Sequence, residues 1–579
     1  MTGPAVHLET FGCQMNELDS ELVAGALASL GYRFVREPGE ADVILYNTCS
    51  VRERAEQKVW SRLGELKKAK AGNPGLVVGV LGCMAERDGA TLIDRHPVVD
   101  VMCGPGELDK LPALIDNAVR TRRAMLDGCA ADPDAPSRSV ARTSAREVAL
   151  QGNASRRSST LAAAGDSLEM LDLSRVVSPI DANGRKSAYV RITRGCNKFC
   201  TYCVVPHTRG AEVHRPPEHI VDECKKLADA GVIEVTLLGQ TVNHYRFEHG
   251  SAVTVGGVVQ PQKGRTYKGS HNRDAFKSPT TTTFADLLAR IHDEVPAIER
   301  LRFVTSYPRD FGDDVLEVIR DHPRICRYLH VPAQSGSDRM LALMNRGYSI
   351  AEYDEFLDRA RSIVDQPELG RPLMISGDVI VGFCTETDED FELTKQMLVR
   401  SRAKNQFIFK YSPRPGTVAY DKIADDVPEQ VKRARNNELL ALQQTISDEI
   451  AREQVGRTFG VLVEGLSRAE RKRRGIDVKP GTGMVEITVG GRASVSVGAR
   501  SVSDGQDASQ SQPVAYAQGS LPGASNVGSA VQLTGRRHRP DRPLRRADHR
   551  RAARPRTSSA PSCRCITEAG GLSLFGELA

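Results

Sequence analysis

Apolar and polar residues alternate in blocks along the first 125 residues, and one local pattern occurs three times. Short apolar runs, typical of buried strands, alternate with amphipathic stretches, typical of helices. The apolar runs are 5–10, 42–46 and 76–81, and the helical stretches after the first two are 16–30 and 51–70. We expect another helix after the third run. Strand–helix alternation of this kind predicts a parallel sheet with helices on both faces.

A cysteine follows each of these three predicted strands: Cys13, Cys49 and Cys83. Side chains at the carboxyl ends of parallel strands meet at one edge of the sheet. The pattern therefore predicts three thiols at one edge, although 36 and 34 residues separate them along the chain. Coincidence is the alternative, since small buried residues are common near strand ends. Cys103 ends a fourth apolar run and is either a fourth ligand or, as we favour, a buried structural thiol.

A second series of strand–helix units begins at Ser187. Its predicted strands are 188–192, 233–238, 300–305, 328–331, 374–381 and 406–411, and a predicted helix covers 217–230. Six such units fit a full or partial β/α barrel, whose chemistry lies on the loops after the strands. Gly, Thr, Lys and His interrupt the pattern at 247–282, which indicates a surface insertion.

These patterns divide the chain into four parts. They are an N-terminal α/β domain at 1–125, a polar linker at 126–181, a barrel core at 182–450 and a last region at 451–579. The linker is rich in Ala, Ser, Arg and Gly. A helix at 428–454 leads out of the core, and a strand signal at 456–464 opens the last region.

Composition narrows the class of protein. The chain has 579 residues, of which 40% are hydrophobic and 26% charged, as in ordinary globular proteins. We see no apolar stretch near the roughly 20 residues of a membrane helix, and no signal peptide, so we expect a cytoplasmic protein. Thirteen cysteines indicate metal or redox chemistry more than disulfides. A net charge of +6 is compatible with a nucleic-acid partner.

The most informative chemistry is a compact cysteine triplet, formed by Cys196, Cys200 and Cys203. Ligation by thiolates alone favours zinc or an iron–sulfur cluster over hard cations. Closed zinc sites usually have four protein ligands, whereas three thiolates leave one metal position open for a substrate or cofactor. A structural zinc knuckle, or three buried thiols, is the alternative interpretation.

The triplet, with the aromatic Tyr202 before its third cysteine, resembles the signature of the radical S-adenosylmethionine (SAM) superfamily. Other matching blocks lie at 10–16, 47–52, 82–85, 194–210, 330–337 and 377–383. With them the chain resembles the methylthiotransferases of that superfamily, and the MiaB-type tRNA enzymes most of all. The resemblance covers most of residues 5–460.

The resemblance implies an α/β enzyme with two 4Fe–4S clusters. The N-terminal domain would hold an auxiliary cluster on Cys13, Cys49 and Cys83, and the barrel would hold the SAM-cleaving cluster on Cys196, Cys200 and Cys203. A small C-terminal β-barrel of the TRAM type would bind RNA. The expected reaction is methylthiolation of C2 of N6-isopentenyladenosine at position 37 of tRNA. One SAM would supply the methyl group, and a second would supply the radical that removes the C2 hydrogen.

Contacts to SAM are also implied. Tyr202 would lie against its adenine, and backbone groups at Gly239 and Gln240 are candidates to bind its amino group; a strand-ending turn is the alternative reading of Gly239. The expected partners are isopentenylated tRNA at its anticodon loop, an electron donor such as flavodoxin or ferredoxin, and a sulfur or cluster donor. We expect a monomer that does not associate with a membrane.

Three alternatives to this interpretation remain: two sister enzymes with other substrates, and one protein of a different class. A sister enzyme methylthiolates an aspartate of a ribosomal protein, and another acts on threonylcarbamoyladenosine in tRNA; both have motifs that fit less well. A non-catalytic iron–sulfur protein that binds RNA would have no need of an open iron.

The sequence also departs from the family pattern. Thr241 stands where the family usually has Asn, and Cys384 stands where relatives have Pro; we interpret Cys384 as a packing substitution. From Arg536 to Arg564 there are eleven Arg and no Lys. This block is a basic RNA-binding arm, a solvated insert or, as we favour, a frame-shifted stretch at 537–564, since 572–578 again resembles the family's last strand.

Overall fold

The computed structural model describes residues 3–50, 53–130, 147–150, 167–175, 186–264, 278–304, 306–463, 483–488, 568–569 and 572–573. The chain forms two compact units. The first comprises Met1–Pro367 and Arg371–Ser447, and the second comprises Glu368–Gly370 and Asp448–Ala579. The predicted N-terminal domain and barrel core thus belong to one unit. Among the described helices, none is long and apolar enough to cross a membrane.

The N-terminal part is a six-stranded sheet in which every neighbouring pair is parallel, so the predicted parallel sheet is confirmed. Its strands, in the order β2-β1-β3-β4-β5-β6, are β1 Ala5–Phe11, β2 Arg33–Phe34, β3 Val43–Thr48, β4 Val77–Gly82, β5 Val101–Cys103 and β6 Glu147–Ala149. The helices are α1 Gln14–Ser29, α2 Glu53–Gly72, α3 Cys83–Asp88, α4 Ala90–Arg95 and α5 Leu111–Ala130.

Both faces of this sheet are buried, which explains why its strands read as continuous apolar runs. In β3, Val43 and Leu45 join one hydrophobic cluster, while Ile44 and Tyr46 join another on the opposite face. Alternate side chains of a strand point to opposite faces, so one strand contributes to both cores.

The prediction of a polar linker at 126–181 is wrong for three of its described pieces. Residues 126–130 are the end of α5, residues 147–149 form β6 at the edge of the sheet, and α6 spans Ser167–Leu173. Glu169 and Asp172 of α6 are buried and form ion pairs with Arg215 and Arg191 of the barrel. Polar composition hid this burial because carboxylates are normally exposed unless they are paired.

The barrel core follows the predicted series of strands. They are β7 Ser187–Arg191, β8 Thr193–Arg194, β9 Val213–His214, β10 Glu234–Leu238, β11 Arg246–Glu248, β12 Thr254–Val255, β13 Val258–Val259, β14 Gln262–Lys263, β15 Thr281–Thr283, β16 Arg300–Phe303, β17 Tyr328–His330, β18 Met374–Val381 and β19 Asn405–Lys410. The helices are α7 Val205–Thr208, α8 Pro217–Asp229, α9 Phe284–Glu294, α10 Asp313–Asp321, α11 Asp338–Leu343, α12 Ile350–Val364, α13 Asp388–Ser401, α14 Val418–Lys422 and α15 Glu429–Glu453.

Six of these strands form two parallel three-stranded sheets, β7-β10-β16 and β17-β18-β19. A parallel bridge between Leu301 and Ile325 joins β16 to the segment before β17. Among the described residues, β7 and β19 each pair with one other strand, so the arc stays open between them. Over the described residues, the core is therefore a partial β/α barrel and not a full one.

The predicted surface insertion at 247–282 is only partly a surface feature. Its strand β14 pairs with β9, which follows the cysteine triplet after the short helix α7, and Gln260 is buried. Residues 265–277 lie outside the described residues.

The second unit is described at two strand pairs. One joins β20 Thr458–Val463 to β21 Gly483–Thr488, and the other joins β22 Glu568–Ala569 to β23 Leu572–Ser573; both are antiparallel. The strand predicted at 456–464 is confirmed. The TRAM-type barrel stays a prediction, and the block at 537–564 lies outside the described residues.

Candidate functional site

The carboxyl edge of the N-terminal sheet brings three cysteines together, as predicted. Strands β1, β3 and β4 are neighbours, and Phe11 pairs with Thr48, which pairs with Gly82. Cys13, Cys49 and Cys83 come one or two residues after these three positions, and the Cys49 N–H donates to the Phe11 carbonyl over 3.0 Å. The side chains of Cys13 and Cys49 are hydrogen-bonded to each other. The three thiols therefore share one edge of the sheet.

Two buried asparagines hold this edge. The Asn16 carbonyl oxygen Oδ1 accepts from the Cys13 N–H at 3.3 Å and from its thiol at 3.4 Å. The amide of Asn16 donates to Asn47 Oδ1 over 3.0 Å, and the Asn47 amide donates back to the Asn16 backbone carbonyl over 2.9 Å. These bonds fix the start of α1 against the end of β3, because each buried amide would otherwise lose its partner.

Gly82 allows this close packing beside Cys83. Its φ is +88°, and a Cβ there would lie 2.4 Å from Asn47 Oδ1 and 2.7 Å from the Thr48 carbonyl. Only glycine tolerates both the conformation and the contact.

Cys103 does not join the three thiols. It lies in β5, next to β4, but its Sγ donates to the Glu107 carbonyl over 3.1 Å. Burial raises the pKa of its thiol well above the usual value. These contacts support the prediction that Cys103 is a buried structural thiol.

The second triplet lies on the loop after β8, at the carboxyl end of the barrel. Asn197 anchors its start: its amide donates to the Gly264 carbonyl over 2.9 Å and its Oδ1 accepts from the Glu212 N–H at 3.1 Å. Thr201 anchors its middle, because its N–H donates to the Met344 carbonyl over 3.1 Å. The loop that carries the cysteines is thus held from both sides of the barrel.

Arg346 is the cation of this triplet. Its Nη1 lies 3.4 Å from both Cys200 Sγ and the Tyr202 hydroxyl, and its Nη2 donates to the Pro332 carbonyl over 3.0 Å. The guanidinium lies 4.8 Å from the centre of the Tyr307 ring. A buried arginine in this position can stabilise thiolate charge.

Electrostatics differ between the two sites. The hydrogen bond with Cys49 lowers the pKa of the Cys13 thiol to about 5. Burial raises the pKa of Cys203 to about 12 and that of Cys196 well above its usual value. Thiolates at Cys196 and Cys203 therefore need a cationic partner beyond the protein's own groups.

The residues predicted to contact SAM lie near the second triplet. Tyr202 packs edge-on against Phe383, with ring centres 6.4 Å apart. Gly239 directly follows β10, and a Cβ there would lie 2.1 Å from Thr193 Oγ1. That contact supports the interpretation of Gly239 as part of a strand-ending turn. Binding of SAM at Gly239 and Gln240 stays a prediction. Cys384 is fully buried in an apolar cluster, as expected of a packing substitution.

Comparison with known proteins matches both parts of this arrangement. Residues 5–104 match the uncharacterized protein family UPF0004, and residues 190–398 match the radical SAM superfamily. A tRNA-2-methylthio-N(6)-dimethylallyladenosine synthase of Rhodopirellula baltica is 43% identical, over 81% of this chain and 85% of its own. Synthases of the same name from Aeromonas salmonicida and Yersinia enterocolitica are each 40% identical, over 80% of this chain and 82% of theirs.

The chain belongs to the family of tRNA-2-methylthio-N(6)-dimethylallyladenosine synthases. Among solved structures, a radical SAM methyltransferase from Kitasatospora setae is similar with a TM-score of 0.44 and 14% identity, over 72% of this chain and 77% of that chain.

The donor sets of this synthase-family chain fit iron–sulfur clusters. Each site offers three thiols, and the thiols of Cys103 and Cys384 bond instead to the backbone carbonyls of Glu107 and Ile423. Thiolates are the ligands of such clusters, and a three-thiol set leaves one iron without a protein ligand.

Three supporting residues were missed by reasoning from sequence. Asn16 and Asn47 lie inside the matching blocks 10–16 and 47–52, so their position beside a cysteine was a usable signal. Arg346 lies outside every block. Its contact with Cys200 depends on the packing of the loop after α11 against the triplet loop, which no local pattern indicates.

Proposed function

We propose that this protein adds a methylthio group to C2 of N6-isopentenyladenosine at position 37 of tRNA. The observation that carries the proposal is the presence of two separate three-cysteine sites, one at each sheet's carboxyl edge. This arrangement occurs in a chain that is 43% identical to a synthase named for that product, over 85% of the synthase's length. Family membership and site geometry thus agree on the reaction.

The roles of the protein's own residues follow from the chemistry. An aromatic C2–H is neither acidic nor electrophilic enough for acid–base catalysis, so the cofactors carry that step. When bound, two 4Fe–4S clusters and SAM would supply a radical and the transferred sulfur and methyl groups. Cys196, Cys200 and Cys203 would ligate one cluster and the three N-terminal cysteines the other. Arg346 and Asn16 would orient these ligands.

The open side of the barrel suits a nucleobase. Phe407 and Phe409 on the edge strand β19 are 41% and 40% exposed. Asp378 pairs in register with Phe407, and the His330 ring lies 6.1 Å from the Phe407 ring. Exposed aromatic rings stack on unpaired bases, and a carboxylate can accept the N6–H of the modified adenine. We assign this face to the target base.

The remaining partners complete the proposal. We propose a cytoplasmic monomer that takes electrons from a flavodoxin or ferredoxin and sulfur from a separate donor. The second unit would grip the anticodon loop as a TRAM-type barrel. A tRNA substrate supports a cytoplasmic location, because tRNA occurs there. The one-electron reduction that radical chemistry needs supports a reduced carrier protein as the electron donor.

The test is anaerobic reconstitution with iron and sulfide, followed by incubation with SAM, reductant and tRNA. Mass spectrometry of the digested nucleosides should find the 2-methylthio product from isopentenylated tRNA and not from tRNA lacking the isopentenyl group. SAM cleavage without this product, together with methylthiolation of a ribosomal protein, would transfer the function to the sister activity. Absence of SAM cleavage would overturn the radical SAM assignment.

The base-binding face has its own test. Stacking is worth about 1–3 kcal/mol per base, so Phe407→Ala should lower kcat/KM for tRNA by roughly 5- to 150-fold. Cleavage of SAM without tRNA should be unchanged. Val399→Ala is the control, because Val399 is 54% exposed on α13. Equal kinetics for the two variants would contradict the assignment of this face.

A further inference from the structure

One buried arginine of the barrel reaches the N-terminal cysteine site. Arg209 directly follows α7, the short helix after the cysteine triplet, and its side chain is 6% exposed. Its Nη2 donates to Asp19 Oδ2 over 2.8 Å, and Asp19 lies on α1, the helix that begins after Cys13. Helix α7 also packs against α3, which begins at Cys83. Arg209 therefore enters the N-terminal site from the opposite domain.

The charge of Arg209 lies close to the auxiliary cysteines. Arg209 follows a helix that packs against the helix beginning at Cys83, and it binds Asp19 on the helix that begins after Cys13. The neighbouring Thr208 hydrogen-bonds to Cys83. The second triplet has a different cation, Arg346. Each three-cysteine site thus has its own buried arginine.

Asp19 limits how much positive charge the auxiliary site experiences. Its side chain is 0% exposed, and its second oxygen accepts from Arg191 Nη1 at 3.2 Å. Arg191 is itself bound by both oxygens of Asp172. Asp19 is therefore shared between Arg209 and Arg191, and these buried charges next to Cys13 are fixed in place rather than supplied by mobile solvent ions.

We propose that Arg209 is a positioning residue whose charge, offset by Asp19, sets the reduction potential of an iron–sulfur cluster on Cys13, Cys49 and Cys83. Net charge and hydrogen bonds near the sulfurs are main determinants of cluster potentials. A positive group favours the reduced cluster, which carries one more electron; a negative group disfavours it. The inference rests on the proposed function, since it assumes a cluster at this site.

The test isolates the auxiliary cluster in the full-length chain with Cys196→Ala, Cys200→Ala and Cys203→Ala. Titration with dithionite, followed by electron paramagnetic resonance, measures its one-electron potential. Relative to this parent, Arg209→Gln should lower the potential and Asp19→Asn should raise it. Each change should alter the reduction equilibrium at least tenfold, or 59 mV for one electron. The double variant should return towards the parent, and Arg209→Lys should stay near it.

Shifts of the reduction potential in opposite directions, for Arg209→Gln and for Asp19→Asn, distinguish an electrostatic role of the pair from a structural one. If the ion pair only held the fold together, both single substitutions would act in the same direction, by loss of cluster. Arg122→Gln is the matched control, because it removes a buried arginine from a buried aspartate, Asp100, in the same domain. It should leave the potential unchanged.

The outcomes distinguish this inference from the proposed function. Iron and sulfide are counted in every variant. If the parent holds no cluster, both the inference and the auxiliary-cluster assignment are wrong. If the parent holds one and Asp19→Asn fails to raise the potential, the inference alone is wrong. Should Arg209→Gln lose its cluster, Asp19→Asn and Arg209→Lys still decide the question.

Discussion

The substitution Gly82→Ala tests how the auxiliary site is built. With φ at +88° and ψ at −159°, a region that essentially only glycine occupies, alanine would cost about 1–3 kcal/mol in conformation alone. Its Cβ would also overlap Asn47 Oδ1 at 2.4 Å and the Thr48 carbonyl at 2.7 Å. Relief of such overpacking typically costs about 1–3 kcal/mol more. The total is a local destabilisation of about 2–6 kcal/mol at the ends of β3 and β4.

Gly31→Ala is a closely matched control. Its φ is +87°, nearly that of Gly82, but a Cβ there would meet no atom within 4 Å. The positive φ and the effect of alanine on the unfolded chain are therefore shared by both variants. The difference between them, at least about 1–3 kcal/mol, reports the overlap beside Cys83 together with the ψ of −159° at Gly82.

Hydrogen exchange of peptides covering 43–50 and 77–84 gives the local free energies. Iron and sulfide analysis in the chain that lacks the barrel triplet shows whether the auxiliary cluster is retained. We expect Gly82→Ala to exchange faster than Gly31→Ala at this edge and to lose most of its cluster. Equal exchange and full cluster content in both variants would refute the reasoning.

Two further predictions concern the barrel. Arg346→Met removes charged hydrogen bonds to Cys200 and Tyr202. Loss of even one such bond, worth about 1.5–3 kcal/mol, should lower SAM cleavage roughly 10- to 150-fold. Arg339→Met, at a half-exposed ion pair, should not change it. Burial lowers the pKa of His214 to about 4. Its unfolded form takes up a proton near pH 6.5, so stability should fall by about 3 kcal/mol as the pH drops from 6.5 to 4. When the urea midpoint of unfolding is measured against pH, His214→Gln should flatten the curve between pH 6.5 and 4. An unchanged slope in the variant would contradict the lowered pKa of His214.

Periodicity and short motifs were enough to predict the elements that position the cysteines. The strands at 42–46 and 76–81 became β3 and β4 with only one- or two-residue changes at their ends. Parallel strands buried on both faces have a strong local signature, and the carboxyl-edge rule then brought distant cysteines together.

The errors have one physical cause. Glu169 and Asp172 lie in a segment that looked like a linker, yet both are buried in ion pairs with distant arginines. Arg209 and Arg346 are likewise important only because of partners far away in sequence. Local composition indicates whether a residue prefers water, but long-range pairing decides whether a charged side chain can be buried.

The central claim is that two three-cysteine sites on one chain do separate work. The most direct measurement compares Cys196→Ala and Cys49→Ala for SAM cleavage and for methylthio product on isopentenylated tRNA. We expect Cys196→Ala to lose both activities, and Cys49→Ala to cleave SAM without making the product. Product from either variant would contradict the account.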